Sequence, residues 1–281
     1  MEEPVIISAC RTPIGKYGKA LNGIKATDLG AIAVKEAVHR SGLQPTDIQE
    51  CIMGNVLEAG LGQNPARQAA IPAGLPVEIG SFTGNDVCGS GLKSIMLAAD
   101  AIQAGQYDVI AAGGMESMSN APYLLEGARW GFRMNDQTVV DSMVHDGLWD
   151  IFGNQHMGIT AEIVAERFHV TREDADRLSM ESHLKAAAAQ AAGKFDKEIV
   201  PVPVKTKAGV ENFVKDEGIR SDSTMESLGK LKPAFKKDGI VTAGNSSQLS
   251  DGASAVVVTS RKWADEHGVK PLASIVAYGE R

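Results

Sequence analysis

NDVCGSGL, residues Asn85 to Leu92, is the stretch around which the rest of this 281-residue chain can be read. It sets a cysteine, Cys88, in a glycine-rich turn. Ile79 to Phe82 approaches it as a strand, while Leu92, Ile95, Met96, Ala99 and Ile102 follow at the spacing of an apolar helical stripe. Cys88 therefore falls at a helix N-terminus, where unpaired backbone N–H groups and the helix dipole favour an anion and make a thiol a better nucleophile. Gly89 and Gly91 carry no Cβ, which leaves room for a substrate or another backbone. The same segment also fits a small core residue, because free cysteine is among the most buried residue types. The local motif leaves both readings open.

Bulk properties narrow the class. A 43% apolar and 22% charged composition is that of a globular protein with a sizeable core, and the length suits about two domains. A net charge of −7 argues against general affinity for nucleic acid or an anionic membrane, so any anionic ligand must be held locally. Residues 201–240 are locally basic, with eight Lys and Arg against six Asp and Glu. That excess suits either a solvated face or a local anion site. The three cysteines, Cys10, Cys51 and Cys88, are far apart and lack metal-ligand spacing. They imply reduced thiols, no metal site and a cytoplasmic setting. The N-terminal MEEPVIISAC has the form of neither a signal nor a transit peptide, and no apolar run is long enough to span a bilayer.

Outward from Cys88, strand-like and helical segments alternate. Val5 to Ala9, Cys51 to Leu57, Tyr107 to Ala112 and Ala253 to Thr259 read as strands. A helix capped at Thr27 or Asp28 is expected to run to about Arg40 and stop at Gly42, and Asn64-Pro65 opens another. This is the pattern of a layered α/β domain. Met115 to Trp149 loses periodicity. Helix returns near Ile159, and Thr171 with Asp174 forms a capping box for a second helix ending at Gly193. Val200 to Val204, interrupted by Pro201 and Pro203, is confined to an edge or extended segment, whereas Leu272 to Ala277 reads as a final strand.

Four blocks in register resemble the thiolase family: SACRTPIGKYG from Ser8, NDVCGSGLKSI around Cys88, AAGGMESMS from Ala111 and VTAGNSSQLSDGASAVVV from Val241. GNQHMGITAE from Gly153 and LKPAF from Leu231 are weaker matches. The resemblance implies an α/β fold in which a layered βαβ half, residues 1–118 and 248–270, carries an inserted, partly irregular loop domain, residues 119–247. Residues 271–281 would begin a C-terminal half absent from this sequence. It also implies an acyltransferase that forms or cleaves acetoacetyl-CoA or a longer 3-ketoacyl-CoA. Cys88 would be the nucleophile that becomes acylated, with its own N–H in an oxyanion hole. Coenzyme A or acetyl-CoA would be a substrate, with no permanently bound cofactor. By position, Leu148, His156, Met157, Arg220, Ser227, Phe235, Ala243 and Ser247 match the family's coenzyme A residues. Arg220 would lie toward the nucleotide and His156 along the arm near the thioester.

The family's GHP histidine and CxGG cysteine have no counterpart here. None of the six histidines lies in a GHP sequence, and neither Cys10 nor Cys51 precedes paired glycines. Loading of Cys88 is expected without them. Carbon–carbon bond formation is not, because abstracting a proton beside a thioester needs a positioned base. A complementary C-terminal half is thus an expected partner, along with self-association into a dimer or tetramer. A non-catalytic acyl-CoA-binding subunit is the alternative, and a carrier-dependent ketoacyl synthase is disfavoured by the long loop domain.

Overall fold

The computed structural model describes residues 2–280; Met1 and Arg281, the ends of the first and last expected segments, lie outside them. In chain order the first elements are β1 (Pro4–Arg11), β2 (Gly15–Lys16), α1 (Ala26–Ser41), β3 (Glu50–Gly54), α2 (Pro65–Ala70), β4 (Gly80–Gly84), α3 (Ser90–Gln103) and β5 (Val109–Ser117). Then come β6 (Tyr123–Leu124), β7 (Val140–Asp141), α4 (Ser142–Gly147), β8 (Trp149–Asp150), β9 (Gln155–His156), α5 (Met157–Phe168) and α6 (Arg172–Ala191). The last are β10 (Val202–Thr206), β11 (Gly209–Phe213), α7 (Met225–Gly229), β12 (Ser250–Ser260), α8 (Arg261–Glu266) and β13 (Ala273–Ser274).

Two compact units are formed. The first comprises residues up to Ala121, Lys197–Asp216 and the chain from Ser250 onward, and the second comprises Pro122–Asp196 and Glu217–Leu249. In the first, one mixed sheet runs in the order β13-β1-β12-β5-β3-β4, with β2 on β12. β3 is parallel to β4 and to β5, whereas β12 is antiparallel to β5 and β1. The sheet is covered on both faces, which is why its strands read as continuous apolar runs. Cys51 and Met53 of β3 and Ala111 of β5 join α1 and α2 in one core. The residues between them, Ile52, Ile110 and Ala112, join Ala98 and Ile102 of α3 in the other. This is the alternation that a period of two imposes.

Several boundaries differ from the sequence expectation. α1 starts at Ala26 with Lys25 as an uncapped N-cap, so Thr27 and Asp28 lie inside the first turn; Gly42 ends the helix in the left-handed conformation, as expected. On α3 the buried face is carried by Ser90, Ser94, Met96, Ala98, Ala99 and Ile102, and Leu92 is 66% exposed. Small residues take the inner positions because the helix lies close to the glycines of β3 and β5. A Cβ on Gly114 would stand 3.0 Å from Gly91 Cα. Residues 197–216, expected in the loop domain, belong to the first unit. Val202 is fully buried in its core, and Arg11 pairs with Glu198 and Asp216, both at 2.7 Å. The expected final strand shortens to β13, whose two residues pair with β1.

In the second unit, Thr171 and Asp174 form the expected capping box of α6, and α5 starts two residues earlier than expected. Short pairs, β6 with β7 and β8 with β9, and a 3₁₀ turn at Ala128–Trp130 account for what little regular structure Tyr123 to His156 contains besides α4. No helix among the described residues is long and apolar enough to cross a membrane.

Candidate active site

The chain leaves the parallel strand β4 at Gly84 and enters α3 at Ser90, so Cys88 sits in a five-residue crossing at the carboxyl end of a sheet strand. The crossing is cross-tied by its own polar groups. Val87 N–H donates to Asn85 Oδ1 at 3.0 Å and Asp86 N–H to Ser90 Oγ at 2.9 Å, and Ser90 Oγ–H donates to the Val87 carbonyl at 2.6 Å. Gly89 N–H reaches the Asp86 carbonyl at 3.0 Å. These bonds hold Val87, immediately before the cysteine, at φ +47°. A β-branched residue there is strained by about 1–3 kcal/mol, and such strain persists only where the surroundings over-determine it.

Exposure separates the three thiols. Cys10 and Cys51 are buried, 4% and 0% exposed, whereas Cys88 is exposed. Burial pushes both the Cys10 and the Cys51 thiol up to about 12, and Cys10 Sγ–H is further occupied by the Ala33 carbonyl at 3.2 Å. Neither is available as a nucleophile near neutral pH, because the thiolate is the reactive form. Cys88 is the one open to a substrate. Its exposure does not fit the reading of Cys88 as a small core residue.

Behind the crossing, Gly54 at the end of β3 lies against the first turn of α3. A Cβ there would stand 2.6 Å from Gly91 N, and closer still to the Ser90 carbonyl carbon. This close approach puts the start of α3 directly on the sheet.

All eight residues matched to coenzyme A binding lie in the second unit. Four of them are brought together. His156 closes β9 and caps α5, its Nδ1 accepting from Gly158 N–H at 3.0 Å. Its ring stacks on Phe235 with centroids 4.6 Å apart. Met157 N–H donates to the Leu148 carbonyl at 2.9 Å. Gly158 is required here, since a Cβ on it would run into the Phe235 ring. A second pair is set side by side through intermediates. Ser227 lies in the capping box of α7, and the adjacent Leu228 packs on Gly244, next to Ala243. Ser247 is exposed, and Arg220 is placed by its backbone N–H, which donates to His183 Nδ1 at 3.2 Å. Among the described residues no hydrogen bond or ring contact joins Arg220 or Ser247 to the other six.

Two buried carboxylates and a half-buried amide that hold these segments carried no role in the sequence reading. Glu162, 5% exposed, accepts from the N–H groups of Ile240 at 3.0 Å and Val241 at 2.8 Å. Asp176, 2% exposed, takes Arg172 Nε at 2.7 Å and Asn245 Nδ2 at 2.8 Å. Asn245 Oδ1 in turn accepts from Thr242 N–H at 2.7 Å. Together they shape residues 240–247. A signal existed in the sequence: Glu162 and Asn245 each lie in one of the family blocks, yet neither matches a ligand-contacting position.

Residues 4–262 match the family model described as the thiolase N-terminal domain. The chain belongs to the thiolase family. It is 53% identical over 279 residues to an acetyl-CoA acetyltransferase of Cupriavidus necator, a match covering 99% of this chain and 71% of that protein. A crystal structure of the Bacillus anthracis acetyl-CoA acetyltransferase superimposes with a TM-score of 0.95 at 41% identity, covering 98% of this chain and 70% of that one. This thiolase chain therefore spans about seven-tenths of the length of these relatives. The expected layered α/β fold is the one found; an absent C-terminal half is not established by these matches.

Proposed function

We propose that this thiolase-family acyltransferase moves acyl groups between acyl-CoA thioesters through an acyl-Cys88 intermediate. The observation that carries the proposal is the placing of Cys88, the exposed one of three cysteines, on a strained crossing at the N-terminus of α3. In loading, the Cys88 thiolate attacks the thioester carbonyl, the C–S bond to coenzyme A breaks, and coenzyme A leaves as its thiolate to take a proton. Charge on the tetrahedral oxygen is met by backbone N–H, including that of Cys88. The names of the relatives point to acetyl-CoA as the acyl donor; with a second acetyl-CoA as acceptor, the product would be acetoacetyl-CoA.

Coenzyme A is read as a transient substrate held by the second unit. His156, Phe235, Met157 and Leu148 would line the pantetheine arm, Ser227, Ala243 and Ser247 its polar amides, and Arg220 the phosphates. The second half-reaction needs a base and a proton carrier. We assign both to polypeptide beyond these 281 residues, a complementary thiolase half. A cytoplasmic homo-oligomer is the expected working form, and β4, at the end of the sheet order, offers its outer edge for pairing.

The test is mass spectrometry after incubation with acetyl-CoA. Addition of one acetyl group at Cys88, lost in Cys88→Ala, supports the reading. No acetylation even with a C-terminal thiolase half supplied, or coenzyme A binding unaltered in Cys88→Ala with no acyl-enzyme in the wild type, overturns it in favour of a binding subunit.

A further inference from the structure

The corner that follows β3 carries a second buried cluster, separate from Cys88 and from the coenzyme A positions. Glu116, in β5, turns its carboxylate into this corner. Its Oε2 accepts from the N–H groups of Val56 at 3.0 Å and Leu57 at 3.2 Å, and its Oε1 from Asn55 Nδ2 and Ser117 N–H, both at 3.1 Å. Four donors on two oxygens come close to filling a carboxylate's capacity. Burial raises the Glu116 pKa above the usual carboxylate range, against the pull of these same donors.

Asn55 is 1% exposed, and its Nδ2 also reaches the Met115 carbonyl at 3.1 Å. That fixes the amide's orientation and leaves Oδ1 a buried acceptor with no hydrogen-bond partner among the described residues. A residue that merely filled space there would not carry this cost.

The corner touches both arms of the Cys88 crossing. Asn55 N–H donates at 3.0 Å to the carbonyl of Gly84, where β4 ends and the crossing begins. Gly54 backs onto Ser90 and Gly91, where α3 starts. The bonds inside the crossing tie it to itself, whereas the corner ties its two ends to the sheet. Relaxing the corner would let the ends part and Val87 leave its left-handed conformation.

We propose that Glu116 is a positioning residue for Cys88: its carboxylate pins residues 54–57, and these hold the β4 exit and the α3 N-terminus at the separation that presents the thiol. This rests on the reading of Cys88 as the nucleophile.

Glu116→Gln keeps the shape and replaces one acceptor oxygen by an amide that must face N–H donors. The assay is the rate of Cys88 alkylation by iodoacetamide in the full chain, followed by peptide mass spectrometry between about pH 6 and pH 9. Glu116→Gln should react about tenfold more slowly across this pH range, while its circular dichroism stays that of the wild type. Asn55→Ala, which keeps the backbone bond to Gly84 and three of the four donors, should slow the reaction about threefold. If Glu116→Gln does not fold, Asn55→Ala decides by the same measure. A wild-type rate across this pH range in the folded variants overturns the proposal. Iodoacetamide reports on the thiol whether or not acyl-CoA is a substrate. A wild type that alkylates at Cys88 yet never acquires an acetyl group would end the acyl-transfer reading and leave the rate comparison to judge Glu116 alone.

Discussion

Gly54→Ala puts the contact between sheet and helix under direct strain. The added Cβ would stand 2.6 Å from Gly91 N and closer still to the Ser90 carbonyl carbon, against the 3.4 Å at which ordinary contact begins, so the start of α3 must retreat by at least about 0.8 Å. The atoms it meets in α3 include backbone, which cannot rotate away as a side chain can. Overpacking of this kind costs about 1–3 kcal/mol. A displacement near 1 Å at a reacting group costs up to about 100-fold in rate. We therefore expect Gly54→Ala to unfold at lower urea by about 2 kcal/mol and to slow Cys88 alkylation and acetylation by about 10- to 100-fold. Gly80→Ala is the control. It lies on the adjacent strand, where a Cβ would meet Glu50 at an ordinary 3.6 Å, so its stability should change by less than about 1 kcal/mol. The two effects of Gly54→Ala must appear together. Equal stabilities and equal Cys88 rates in the two variants would refute the claim that this close approach sets the position of the thiol.

Other outcomes follow from the same geometry. Iodoacetamide should label only Cys88 in the folded chain and all three cysteines in urea; labelling of Cys10 or Cys51 under native conditions would contradict their burial. Stability should be intact below pH 9.0 and decline as pH climbs toward about 12, because the folded state keeps the Cys10 and Cys51 thiols protonated while the unfolded chain loses those protons. Urea titrations at successive pH values check this, and Cys51→Ala should flatten the decline. Glu162→Gln should destabilise by about 1.5–3 kcal/mol and weaken coenzyme A binding, since the N–H groups of Ile240 and Val241 lose a charged acceptor. Calorimetry with coenzyme A reads the second effect. Phe235→Ala removes the stack on His156, worth about 0.5–1.5 kcal/mol, and should weaken coenzyme A by about 2- to 13-fold; unchanged affinity would take Phe235 out of the arm's path.

Much of the first unit was legible because its determinants are local. Strands buried on both faces are apolar throughout, and Gly42 and Asn64-Pro65 mark helix ends by their own backbone demands; in the second unit, Thr171 with Asp174 likewise closes a capping box within four residues. The start of α1 was misplaced because Lys25 stands at its N-cap without a side-chain bond, so no local chemistry marks the position. The stripe on α3 was misread for a different reason. Apolarity alone favours Leu92, but close packing on glycine strands selects Ser90, Ser94 and Ala98 for the inside. The grouping of 197–216 with the first unit depends on Arg11 meeting Asp216 across 205 positions of sequence, which no short window contains.

The same division runs through the site. Sequence alone determined that a cysteine stands at the start of a helix after a strand, because strand, glycine turn and apolar helix are each written in a few neighbouring residues. It could not decide which of three cysteines is open to solvent, since burial is a property of what the rest of the chain brings near. Tertiary structure decided that: it sealed Cys10 and Cys51 inside the core and left Cys88 exposed. It also brought Glu116, 28 residues beyond Cys88, and Asn55, 33 residues before it, together behind the crossing. A buried carboxylate must find its donors wherever folding places them, and here folding places them behind Cys88.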